Sequence, residues 1–114
     1  MTTSDALQRL IDAVEDEAWD GSLWRLMEII REVPPMAFGD AYRGSLDAAM
    51  ALQKTILPGW RIANLGQATV VETDWHCRMA GPRVNHGSYA IATSPSRALL
   101  IAILKAYQAQ EASQ

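Results

Sequence analysis

Apolar residues in the first half of the chain recur at helical spacing. Leu7, Leu10, Ile11, Val14 and Ala18 follow the i, i+3, i+4, i+7 rule, with Asp12, Glu15 and Asp16 on the opposite side. This predicts a helix over 4–18, with Asp5 and Arg9 four apart as a helix pair. Asp20-Gly21-Ser22 reads as a turn offering N-caps to a second helix over 22–32, where Leu23, Leu26, Met27 and Ile30 form a stripe widened by Trp24 and Ile29. Pro34-Pro35 reads as its stop, and 34–44 as a linking loop packed down by Phe38 and Tyr42. A third helix is predicted from Ser45 as N-cap to about Leu57. Leu46, Ala49, Met50, Gln53 and Ile56 share one face, and Ala48, Ala49 and Ala51 are small enough to sit close on a sheet.

After Pro58-Gly59 the period changes to two. Trp60, Ile62 and Asn64 alternate with Arg61, Ala63 and Leu65, and Gly66-Gln67 reads as a hairpin turn. Residues 69–73, rich in β-branched side chains, are a second predicted strand. Further strands are predicted at 75–79 and 89–92, joined by a glycine-containing loop over 80–88. Ser94-Pro95 then opens a last helix, as N-cap and first helical residue. Leu100, Ile103, Leu104 and Tyr107 form its stripe, extended by Leu99 and Ile101, so more than one neighbour must bury it. The polar tail 108–114 is expected to fray. The expected fold is α+β, with order α-α-α-β-β-β(-β)-α: a short antiparallel sheet of three to four strands, bracketed by the third and last helices. Residues 1–114 read as one domain, with a helical pair in 1–33 and a helix–sheet–helix unit in 45–107.

Composition narrows the class. Apolar residues make up 49% of the chain and charged residues 20%, the balance of a globular domain rather than a disordered one. The longest apolar run, 98–104, is far short of a membrane span. The opening Met1-Thr2-Thr3-Ser4-Asp5 lacks the basic and apolar parts of a secretory signal, and the single cysteine, Cys77, cannot form an internal disulfide, so a cytoplasmic protein is expected. The net charge of −3 is uneven: residues 1–60 carry −5 and residues 61–114 carry +2. A strong nucleic-acid binder shows a concentrated basic footprint, and this one is weak.

Three blocks carry a resemblance. Residues 42–52 (Tyr-Arg-Gly-Ser-Leu-Asp-Ala-Ala-Met-Ala-Leu) followed by Leu57-Pro58-Gly59-Trp60, the closing stretch 92–106, and the opening 7–15 together cover about a third of the chain. They resemble an uncharacterised family of small bacteriophage and prophage proteins, of the phage α-β-α sandwich type. Residues 19–41 depart from that pattern. The resemblance implies a short antiparallel sheet between helices and a phage or mobile-element origin. It brings no catalytic motif.

Candidate chemistry is sparse. His76, Cys77 and His86 match no standard zinc spacing, and adjacent strand residues point to opposite faces, so no metal and no cofactor are expected. Cys77 with a histidine would make a nucleophile pair, but a strand thiol is more usually structural. The acidic run Asp12, Glu15, Asp16, Glu17 and Asp20, ending beside Trp19, suits a basic partner groove. Arg78, Arg83 and His86 around the glycine loop form a second candidate patch. The expectation is a non-catalytic binding protein of a phage or mobile element, an inhibitor of host defence of the anti-CRISPR kind. It would block a host protein or protein–nucleic-acid complex such as a CRISPR effector, without a membrane. One alternative is a nucleic-acid-binding accessory protein using Arg61, Arg78, Arg83 and His86. Another is a homo-oligomeric structural phage protein.

Overall fold

The apolar stretch after Ser94-Pro95 forms helix α5 (Pro95–Ala112), and the other elements pack round it. In this computed structural model, which describes residues 3–19, 23–28, 35–67, 74–83 and 86–112, every residue from Ala98 to Leu104 is at most 1% exposed. A helix stays dry all round only where neighbours cover each side. Here the cover comes from α1 (Thr3–Glu15), α3 (Pro35–Tyr42), α4 (Leu46–Ile56), and strands β2 (Trp75–Ala80) and β3 (Gly87–Ala92). Ser94 caps α5: its Oγ accepts from the Arg97 amide at 3.2 Å.

Helix α1 buries Leu7, Leu10, Ile11 and Val14 as the periodicity requires. It ends three residues earlier than predicted. Glu17 takes a left-handed conformation (φ 54°), the Ala18 amide donates back to the Ala13 carbonyl at 2.8 Å and the Glu17 amide to Val14 at 3.2 Å. This paired closure satisfies carbonyls that the helix end leaves open.

The second predicted helix is reduced to a single described turn, α2 (Trp24–Met27), with Glu28 in a turn after it and 29–34 outside the described residues. The segment read as a linking loop is helical instead, as α3. Pro35 is its first residue, where a proline's missing N–H and fixed φ cost nothing. Phe38 and Ala41, three apart, are fully buried, which supplies the driving force. Helix α4 follows its predicted span, with Ser45 Oγ accepting from the Ala48 amide at 3.1 Å. Its buried face is Ala49, Leu52, Gln53 and Ile56, so Met50 is exposed rather than part of the stripe. Buried Gln53 is satisfied by donating to the Trp60 carbonyl at 2.8 Å.

Counting helices of two turns or more, the order is α-α-α-β-β-β-α, an α+β fold with an open three-stranded antiparallel sheet, β1-β2-β3. Gly66 and Gln67 are not a turn. They are the end of β1 (Arg61–Gln67), opposite His76 and Trp75. The strand expected over 69–73 lies outside the described residues. The alternation of β1 is broken by a bulge between Ile62 and Asn64. The extra residue resets which side chains face inward, so Ile62 and Leu65 share the inner face although their spacing is odd.

The inner face of the sheet carries Cys77, Met79 and Ala90 against α5, and Ser88 Oγ donates to the Ala102 carbonyl at 2.9 Å. The third and last helices were expected to bracket the sheet. Instead α5 covers it, and α4 packs on α3 and α5.

Because Leu100 lies fully buried in this helix, Leu100→Ala should cost about 2–5 kcal/mol. Met50→Ala, at an exposed position, should stay within about 0.5 kcal/mol. Urea unfolding followed by far-UV circular dichroism measures both.

Candidate functional site

Covering one face of the sheet with α5 leaves the alternate residues on the other. Strand registers place these in three rows: Arg61, Ala80 and Gly87; then Asn64, Arg78 and Tyr89; then Gly66, His76 and Ile91. Tyr89 is 46% exposed and Ile91 51%, large apolar surfaces beside small ones at Gly66, Ala80 and Gly87. The Arg78 guanidinium carbon lies 5.9 Å from the Tyr89 ring centre, and the His76 ring lies 6.3 Å from it, tilted by 44°. Lys105 reaches the β3 edge from α5, its Nζ donating to the Tyr89 carbonyl at 3.4 Å. No carboxylate stands in the three rows.

Between β2 and β3, a concavity of about 440 Å³ is lined by Arg78, Ala80, Gly87 and Tyr89, with Met79, Ser88 and His86. His86 is not free: its ring stacks on Trp60 at 6.1 Å, 12° from parallel. Gly81 is required beneath them, since a Cβ there would stand 2.6 Å from the His86 Cβ and 3.0 Å from the Trp60 ring. Trp60 Nε1 donates to Gln110 Oε1 at 3.2 Å, tying this end of the sheet to α5. Arg83 is exposed in the adjoining turn, which closes with the His86 amide donating to the Arg83 carbonyl at 3.1 Å.

The acidic candidates divide. Asp12 is exposed on α1 and accepts from Gln8 Nε2 at 2.9 Å. Glu15, Asp16 and Glu17 line a second cleft of about 310 Å³ with Asp74, Ile91, Thr93 and Arg97. Glu17 has internal work: its Oε1 accepts from Thr93 Oγ1 at 2.9 Å and pairs with Arg97 Nη1 at 3.2 Å. Arg97 also donates from Nε to the Tyr42 carbonyl at 2.9 Å and lies 4.1 Å over the Tyr42 ring. Trp19 stacks on Tyr42 with centroids 5.6 Å apart and is half-buried against the core, so it is a packing residue rather than an exposed anchor. Asp20 lies outside the described residues. Of the acidic run, Glu15 and Asp16 remain exposed at the cleft.

The three metal-ligand candidates are not brought together. Cys77 is buried on the inner face, His76 lies on the outer face, and His86 is against Trp60. Among the described residues, no group of three or more His, Cys, Asp or Glu is placed to hold a metal ion. Burial pushes the Cys77 thiol up from 9.0 to about 11, so it stays protonated and unreactive at neutral pH. No helix among the described residues is long and apolar enough to cross a membrane. No protein-family model, curated protein or solved structure matches this chain.

Sequence reasoning named Arg78 and His86 but missed Tyr89 and Ile91. The signal was present as alternation: Tyr89 and Ile91 flank the small Ala90, which marks Ala90 as the side pressed against a helix.

Two outcomes follow from these contacts. Arg97→Ala should cost about 2–3 kcal/mol, since it removes a charged hydrogen bond to a carbonyl and a cation–π contact. Arg43→Ala, at the exposed Arg43–Asp40 pair, should change stability by under about 1 kcal/mol. For Cys77, the two-unit rise cuts the thiolate fraction at pH 8 about 100-fold. Alkylation of the folded protein by iodoacetamide should be slower than that of the urea-unfolded chain by at least that factor. Because the folded thiol holds its proton to higher pH than the unfolded one, this group weakens stability as pH rises from about 9 to about 11.

Proposed function

We propose that this protein is a non-catalytic binding module of a phage or mobile element, and that it acts by covering a surface of a host protein or protein–nucleic-acid complex. An inhibitor of host defence of the anti-CRISPR kind is its concrete form. The observation that carries the reading is the face of the sheet that no described helix covers, where Tyr89 and Ile91 stand exposed beside Arg78. Tyrosine and arginine are enriched at binding hot spots: tyrosine offers a large, rigid contact area for little lost side-chain freedom, and arginine a fork of directed donors. The Arg78 guanidinium lies 5.9 Å from the Tyr89 ring centre, so both groups are offered on one patch. The phage-like blocks of sequence and the dispersal of Cys77, His76 and His86 support the same reading.

This surface replaces the acidic helix end as the leading contact. Trp19 and Glu17 make contacts within the fold, so among the described residues of the acidic run Asp12, Glu15 and Asp16 are left to serve a partner.

The test is affinity capture from host lysate with tagged protein, quantified by mass spectrometry. Wild type should recover a dominant complex, and Tyr89→Ala/Ile91→Ala should lose at least about 10-fold of it. Met36→Ala, at a site 72% exposed on α3, should recover it in full. Equal recovery by all three would overturn the reading, with urea midpoints confirming that each variant folds.

A further inference from the structure

The uncovered sheet face also indicates what chemistry it meets. We infer that it binds single-stranded nucleic acid, with a base stacked on Tyr89 over the Ala80–Gly87 floor and backbone phosphates held by Arg78, Arg61 and Lys105. This rests on the proposal that the same face is the working surface, and takes the nucleic-acid strand of a protein–nucleic-acid complex as what the face meets.

Three observations combine. The first is charge placement. The chain carries a net −3, yet four of the five Lys and Arg residues after position 60 are gathered here: Arg61 and Arg78 on the face, Arg83 in the turn beside it, and Lys105 at the β3 edge. The fifth, Arg97, is occupied by Glu17 and Tyr42. Among the described residues, no carboxylate stands in the three paired rows of the face. Asp74, Glu15 and Asp16 line the cleft beyond Ile91, where they repel a phosphate chain and confine it to the other two rows.

The second is shape. Ala80 and Gly87 are paired neighbours whose small side chains leave a floor open to a flat ring, with Arg78 and Tyr89 beside it around the 440 Å³ concavity. Three strands span about 10 Å between outer axes, room for a short run of stacked bases rather than a duplex groove. The third is the aromatic itself. An exposed tyrosine with an arginine 5.9 Å from its ring centre offers a π-face to a base and a cation to a neighbouring phosphate, the combination by which single strands are held without sequence preference.

The experiment is fluorescence anisotropy with fluorescein-labelled 12-mers: oligo-dT, oligo-rU and a duplex DNA of the same length, at 20 and 200 mM salt. A single strand should bind at low salt more tightly than the duplex. The salt slope should correspond to two or three neutralised phosphates, about −0.7 per phosphate. Tyr89→Ala should weaken binding about 5- to 150-fold, and Tyr89→Phe should retain it. Arg78→Gln should reduce the slope by about 0.7. Preference for dT or rU assigns DNA or RNA as the ligand, and either supports the inference. Absence of binding to both single strands at 20 mM salt overturns it. So does binding that Tyr89→Ala and Arg78→Gln leave unchanged, or binding in which the duplex is preferred. If the oligonucleotides fail while captured complexes still depend on Tyr89 and Ile91, the nucleic-acid inference falls and the binding-module reading stands. If the oligonucleotides bind through Tyr89 while captured complexes ignore that face, the blocking reading falls instead.

Discussion

The fold depends on one demand: the side chains of α5 from Ala98 to Leu104 have no access to water on any side. A surface helix needs one partner layer, whereas this one needs cover all round. The chain meets the demand with three kinds of neighbour, α1, the α3–α4 pair, and the sheet. Helices α1, α3 and α4 are thereby committed to α5, and among the described residues no helix packs on the far face of the sheet. Strand geometry does the rest. With a period of two, every residue pressed onto α5 places its neighbours on the far side. Burying Cys77, Met79 and Ala90 therefore presents His76, Arg78, Tyr89 and Ile91.

Most of this architecture was legible where one local signal governs one element. Leu7 to Val14 announce α1, Ser45 and Ser94 announce their helix starts, and the apolar breadth of α5 announces its burial. Errors arose where two principles compete for the same residues. Pro34-Pro35 reads equally as a stop and as the first turn of a new helix, and only the burial of Phe38 and Ala41 decides for a start. Gly66 suits a turn, yet a glycine in a strand opposite His76 also fits. The bulge after Ile62 has no local mark, because it exists to reconcile Ile62 and Leu65 with one face. That is a property of the packed sheet and not of a tripeptide.

The candidate site was less legible than the fold, for a related reason. An acidic run looks available until its counter-charges are located. Glu17 is met by Arg97 from eighty positions away, and Arg97 brings Tyr42 and through it Trp19. This cluster fastens the end of α1, the end of α3 and the start of α5 at one point. It turns two members of the most conspicuous part of the sequence, Glu17 and Trp19, into structural material. The basic residues show the reverse. Arg61, Arg78 and Lys105 are scattered along the chain and look unremarkable one at a time, but strand register sets Arg61 and Arg78 on one face and helix α5 delivers Lys105 to its edge.

Segregation of charge is thus a consequence of how α5 is buried. Its first turn supplies Arg97 to the α1 end, where Glu15, Asp16 and Asp74 collect around the cleft. Farther along, Lys105 reaches the β3 edge, where its Nζ donates to the Tyr89 carbonyl. One helix therefore holds the acidic end of the molecule together at its start and adds positive charge to the bare face two to three turns later. Field strength on such a face depends on local arrangement rather than on the net charge of −3. With a Debye length of about 8 Å at physiological ionic strength, the cations in the Arg61 and Arg78 rows act on a ligand lying against the sheet with little cancellation from carboxylates at the far end.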